Sequence, residues 1–207
     1  MSTGTPSAAR RPGLRVLPAH PVRAALLVTT FVVLLYVVEA VDQIVFDGTL
    51  DADGIVPRRL DGLDGILWSP LLHHGWGHLV ANTLPLLIFG FLVLAGGIGQ
   101  FLAVTAVVWL LGGFLTWLTG TGLTVGASGV IFGWLAFLLV RGFFARSPSQ
   151  ILLAVVLFVL YGWVLWGVLP SDPNVSWQAH LFGALAGVLA ARIVASADRP
   201  RGGPLTR

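Results

Sequence analysis

Apolar residues in this chain fall in unbroken blocks rather than in the alternation of a half-buried strand. The blocks cover residues 24–40, 77–95, 101–118, 127–140, 151–169 and 177–195, with short runs of Gly, Pro, Arg or Asp between them. A helix needs roughly 20 apolar residues to cross a hydrocarbon core about 30 Å thick. Six blocks predict an all-α, polytopic membrane protein with six transmembrane helices, spans one to six. The first block is too long for a signal-peptide core and lacks a small-x-small cleavage site, so it counts as a span. Residues 1–20, rich in Pro, Arg and small polar residues, read as a disordered tail. Residues 21–196 read as the transmembrane domain and 197–207 as a second short tail.

Span four stands out because it is short and because of what precedes it. The sequence there is TGTGLTVGASGVIFGW, residues 119–134, a Gly/Thr-rich loop with Ser128 at its joint with the helix. Such a segment suits a flexible turn, a small-residue packing patch, a phosphate-binding loop or a nucleophile. Composition narrows the choice. All 12 basic residues are Arg, and there is no Lys. That excludes a Walker A loop, a Schiff-base lysine and a Ser–Lys dyad. Cys is absent, so disulfides, Fe–S clusters and thiolate zinc sites are excluded as well.

Charge gives an orientation. Ten arginines lie before span one, between spans four and five, or in and after the end of span six. Arg58 and Arg59 lie on the other side, in the loop over residues 47–75, beside five Asp. The positive-inside rule then puts both termini in the cytoplasm of a multi-pass protein in the cell membrane. Arginines that flank spans explain the basic balance without nucleic acid. No internal repeat is visible, which speaks weakly against a repeat-built transporter.

Counting residues gives depth. Ser128 precedes Arg141, taken as the inner boundary, by 13 residues, and His180 precedes Arg192 by 12. At about 1.5 Å per residue, the serine sits roughly 20 Å above that boundary. Asn82, 14 residues before the turn at Gly96, reaches the same level, and His78 lies one turn higher on the same face. Polar side chains within a bilayer are costly and mostly face the bundle interior, so a shared site is expected. The loop ahead of Ser128 must dip into the membrane, where irregular backbone persists only when protein or a wet cavity covers it.

A serine beside a histidine suits nucleophilic catalysis, with the imidazole taking the hydroxyl proton. His78, Asn82 and the N–H groups at the start of span four are candidate donors to an oxyanion. Gly126 and Gly129 allow close approach on either side of Ser128. No Asp or Glu occurs between Asp64 and Asp172, so a Ser–His dyad without a carboxylate is expected. Singly, each feature has a plainer reading. Gly129-x-x-x-Gly133 and Gly183-x-x-x-Gly187 are packing motifs, and His180 or Asn82 alone could bridge helices. His74 and His78 have metal-ligand spacing, but the Glu of His-Glu-x-x-His is missing.

Together, GASG at the head of a short helix, HLVAN on an earlier one and AHLFGALAG on the last resemble the rhomboid family of intramembrane serine proteases. The resemblance runs from Leu71 to Arg192. It implies Ser128 as nucleophile, His180 as base, and His78, Asn82 and the Ser128 N–H, with Gly126 beside them, as oxyanion-stabilising groups. His73 matches a further family histidine, and Gly129, Gly183 and Gly187 match a close helix contact. Phe132 stands where many relatives place a Tyr that stacks on the base. The Trp-Arg pair that many relatives carry in the first loop has no counterpart. The family implies hydrolysis of a peptide bond in or near the transmembrane segment of another membrane protein, within the lipid bilayer and without metal or other cofactor. It also implies a gate at span five and a lid over residues 171–176. A proteolytically silent family member that binds membrane clients, and a small transporter, are the alternative readings.

Overall fold

The computed structural model describes residues 12–172 and 175–197. Residues 1–11, 173–174 and 198–207 fall outside it, and with them most of both expected tails and the middle of the 171–176 loop. Six helices are long and apolar enough to cross a membrane: α1 (Pro21–Val45), α2 (Gly75–Gly96), α3 (Ile98–Thr119), α4 (Ser128–Ala145), α5 (Pro148–Val168) and α6 (Trp177–Ala197). Among the described residues there is no strand, only an isolated bridge between Ile55 and Thr124. The all-α, six-helix expectation therefore holds. Below, the end bearing the α4–α5 turn is the arginine-rich end, and the opposite one is the loop end.

Local sequence sets the helix boundaries. Pro21 and Pro148 sit in the first turns of α1 and α5, where a missing N–H costs nothing. Gly97, at φ +92°, separates α2 from α3. Arg146 ends α4 in the left-handed region at φ 52°. Its N–H donates to Phe143, and the Ser147 N–H donates to Gly142, a Schellman closure. α4 thus runs past Arg141, which is 3% exposed, so this arginine does not mark the helix end as the residue count assumed. A charge followed by Gly-Phe-Phe-Ala was read as the end of an apolar block, yet protein rather than water surrounds it.

α4 is the axis of the bundle. Of its most apolar stretch 61% is buried, against 11% for α5 at the rim. Trp134, Leu135, Phe137 and Leu138 are all 1% exposed or less and form the core with Leu79, Leu86, Phe89 and Leu35. Against α6 the contact is backbone on backbone. A Cβ at Gly183 would lie 2.1 Å from the Gly129 carbonyl oxygen, and one at Gly187 would lie 2.0 Å from that of Gly133. α3 joins the same seam, where a Cβ on Gly112 would meet the Gly183 Cα at 3.3 Å. A π-helical turn at Val107–Leu111 brings Val108 against Gly133.

The loop between α1 and α2 is a clamp. Ile55 and Thr124 exchange N–H···O bonds of 2.9 and 3.0 Å, tying it to the segment that leads into α4. Ser69 Oγ donates to the Thr124 carbonyl at 2.9 Å, and the Ser69 carbonyl accepts from the Gly126 N–H at 2.8 Å. Trp109 Nε1 donates to the Ile66 carbonyl, and Trp117 Nε1 to that of Arg59.

At the arginine-rich end, residues 12–20 depart from the disordered tail that was expected. Pro12–Leu14 form a turn, and the carbonyls of Gly13 and Arg15 accept from Gln150 Nε2 at 2.7 and 3.3 Å. Arg141 donates to the Arg15 carbonyl at 3.0 Å. The composition of the segment suggested disorder, but two buried side chains need its carbonyls.

The glycine seam makes a stability prediction. Gly187→Ala should destabilise the bundle by about 1–3 kcal/mol or more through overpacking. Gly99→Ala, whose Cβ meets nothing within 4 Å, should be neutral or slightly stabilising. Thermal unfolding of both variants in detergent checks the contrast, and equal melting temperatures would refute it.

Candidate active site

The N-terminal turns of α2, α4 and α6 all lie at the loop end. With the last turns of α5 they surround a cavity of about 1150 Å³. Ser128 is the first residue of α4 and His180 lies in the first turn of α6. The glycine seam brings those turns together, and Ser128 Oγ lies 2.9 Å from His180 Nε2. His180 Nδ1 lies 2.9 Å from the Gly167 carbonyl of α5. A carbonyl only accepts, so Nδ1 carries the hydrogen and Nε2 is left to accept from the serine hydroxyl. Phe132 stacks flat on the imidazole, with ring centroids 4.0 Å apart and planes 8° apart. The stacking place expected for Phe132 is thus occupied.

Asn82 reaches the cavity from α2. It is 6% exposed, and its Nδ2 has no hydrogen-bond acceptor among the described residues. A buried amide donor left without an acceptor costs about 1–3 kcal/mol. Half-buried His78 lines the same cavity one turn away. Its ring lies against Gly126, where a Cβ would sit 2.5 Å from His78 Cε1 and where φ is +114°, a left-handed value that disfavours any side chain.

Gly126, grouped in the sequence with the oxyanion- and substrate-stabilising residues, donates its N–H to the Ser69 carbonyl. It also makes room for His78. The Ala127 N–H is directed at His73 Nε2 at 3.4 Å. At the head of α4 the N–H groups of Ser128 and Gly129 precede the first intrahelical bond, from Ile131 to Ala127, and so have no helical acceptor.

His73 is 1% exposed, and its ring meets His78 edge-on at 5.2 Å. Burial, more than the neighbouring His78, pushes its pKa from 6.5 down to about 4, so it is neutral and accepts the Ala127 N–H. Exposed His74 pairs with Asp51 at 2.8 Å. Burial raises the Asp51 carboxyl above its ordinary range. Among the described residues no group of three or more His, Cys, Asp or Glu is arranged to hold a metal ion.

Sequence reasoning pointed to Ser128, His180, His78, Asn82, His73, Phe132 and Gly126; in the structure Ser128, His180, His78, Asn82 and Phe132 line one cavity, and His73 and Gly126 lie against His78. Sequence reasoning missed Gly167, because a backbone carbonyl has no sequence signature. It also missed Ser69 and Thr124, polar loop residues whose partners are 55 positions apart.

A polytopic helical bundle with a buried Ser–His pair at its loop end is thus the class that fold and geometry define. The Rhomboid domain profile matches residues 63–197, so the chain belongs to the rhomboid family. It is also similar to uncharacterized proteins of Mycobacterium tuberculosis, Mycobacterium bovis and Mycobacterium leprae. Each is 48% identical over 182 residues, which covers 83% of this chain and 75%, 75% and 72% of theirs.

His73 makes stability depend on pH. Between about pH 4 and 6.5 the unfolded chain binds a proton that the folded ring refuses, so stability rises with pH across that window. The contribution is complete above 6.5, is lost as pH falls through about 4, and amounts to about 3 kcal/mol. Asp51, with its raised pKa, acts in the opposite direction above 3.8, so the informative quantity is a difference. Unfolding midpoints of wild type and His73→Gln should diverge as pH rises from 4 to 6.5. Parallel curves would refute the assignment.

Proposed function

We propose that this protein is an intramembrane serine endopeptidase that cleaves peptide bonds in or near transmembrane segments of other membrane proteins. The observation that carries the reading is the 2.9 Å contact between Ser128 Oγ and His180 Nε2 at the head of two helices in a membrane bundle. Family membership supports it.

In the mechanism Ser128 Oγ attacks the scissile carbonyl carbon while His180 Nε2 takes the hydroxyl proton. The C–O bond forms, and the carbonyl π pair moves to oxygen. Asn82 Nδ2, His78 and the N–H groups of Ser128 and Gly129 are the donors for that oxyanion, since fixed donors gain most where water is excluded. As the tetrahedral carbon collapses, the C–N bond breaks, and imidazolium gives its proton to the leaving amine. Water, deprotonated by His180, then attacks the acyl-enzyme carbonyl; the C–Oγ bond breaks, the peptide acid leaves, and the imidazolium returns its proton to Ser128 Oγ. No cofactor is required.

The substrate is a membrane-spanning helix that unwinds near its end, because helical carbonyls are hidden in hydrogen bonds. The arginine distribution supports a loop end outside and both termini in the cytoplasm, and the proposed location is the cell membrane. α5 and the 171–176 loop are the gate and lid implied by family resemblance. The exposure of Trp163 and Trp166 on α5, 70% and 71%, suits a surface that meets lipid or a substrate helix. The alternative of a silent client-binding relative is less favoured, since such relatives usually lack the serine or the histidine, and here both are present and hydrogen-bonded.

Labelling by a fluorophosphonate should depend on Ser128 and be abolished in Ser128→Ala and His180→Ala. Asn82→Ala should lower kcat roughly 10²- to 10³-fold with little change in labelling geometry. Asp172→Ala should retain substantial cleavage of a reconstituted single-span substrate. Folded wild-type protein that neither labels nor cleaves would overturn the reading, and an Asp172→Ala loss as large as that of Ser128→Ala would overturn the dyad.

A further inference from the structure

We infer that the last turns of α5, Gly162–Val168, are the positioning element for His180, so that the helix bordering the cavity also assembles the dyad. The inference rests on the serine-protease reading and extends it to regulation of the same site.

A catalytic histidine needs a partner at its second ring nitrogen to hold the tautomer and to favour the imidazolium that forms. Among the described residues the side-chain hydrogen bonds of His180 run to Ser128 and to the Gly167 carbonyl. The Gly167 carbonyl fits the task for two reasons. It belongs to the final turn of a helix, whose last carbonyls have no helical donor and form the negative end of the helix dipole. It is also carried by a glycine for which no other residue fits unstrained. A Cβ at 167 would lie 2.9 Å from Phe132 Cζ and 3.1 Å from His180 Nδ1. The imidazole is thus held by Phe132 on its face and by Gly167 at its edge.

The same segment is lightly held. α5 has the smallest buried share of the six helices, and its final stretch changes from α to 3-10 at Gly162. Trp163, Val164, Trp166 and Gly167 of this stretch all line the cavity. Moving it aside widens the cavity and removes the acceptor from Nδ1 in one motion. The base is therefore competent only when the segment is seated, and an open site is an unassembled one. A helix that only gates would speed access without affecting the chemistry of small reagents.

Two variants test this. Replacing Val168 by its α-hydroxy analogue turns the Gly167 carbonyl into an ester carbonyl, a weaker acceptor, and leaves every side chain intact. Nitrogen-15 NMR of His180 in the wild type should show the Nδ1–H tautomer, and the ester variant should show a mixture. Fluorophosphonate labelling of Ser128 should slow roughly fivefold to tenfold in the ester variant. The same ester at Val33 of α1, an exposed residue away from the cavity, should change neither readout. Leu157→Ala, which loosens α5 at a residue 3% exposed, should also slow labelling, although the reagent needs no gate movement. Unchanged tautomer and labelling in the Val168 ester, or faster labelling in Leu157→Ala, would overturn the inference. Wild-type protein that shows the Nδ1–H tautomer without Ser128-dependent labelling would sink the protease reading instead.

Discussion

The rest of the site depends on how closely α4 and α6 approach. Their backbones meet where Gly183 faces the Gly129 carbonyl and Gly187 faces that of Gly133, with no room for a methyl group at either. Within a bilayer there is no hydrophobic drive between helices, and contact gains come from packing and close backbone approach. Ser128 and His180 sit one turn from this seam. Larger residues there would separate the helix heads and with them the hydroxyl and the imidazole.

A second constraint acts on the segment before α4. It is irregular backbone beside a cavity, so its N–H and carbonyl groups need protein partners. The α1–α2 loop supplies them through Ile55 and Ser69, and His73 supplies another. The long Asp-rich loop is thus a wall of the site as well as a connection between spans. By engaging Gly126 and Ala127, it leaves the N–H groups of Ser128, Gly129 and Val130 as the donors without a helical acceptor at the helix head.

Polar groups in the bundle divide by partner. Asn82 Nδ2 is buried at the cavity with no acceptor among the described residues. Arg141 and Gln150 face the opposite end and hold the carbonyls of residues 13 and 15. The first arrangement leaves a donor open toward the cavity. The second stitches the chain before α1 to the α4–α5 turn.

The sequence alone determined the helix number and the glycine seam, and it pointed Ser128, His180 and Asn82 to one region. Apolar blocks report transfer into a bilayer, and small residues four apart mark one face of a helix. Both are local properties of the chain. The tertiary structure alone decided what faces His180 Nδ1, which N–H groups around Ser128 stay free, and where Arg141 sits. Those outcomes depend on backbone carbonyls and on contacts between distant segments: Gly167 with His180, Ser69 with Gly126, Arg141 with Arg15. A carbonyl is the same at every residue, so its position, which only packing sets, decides what it does.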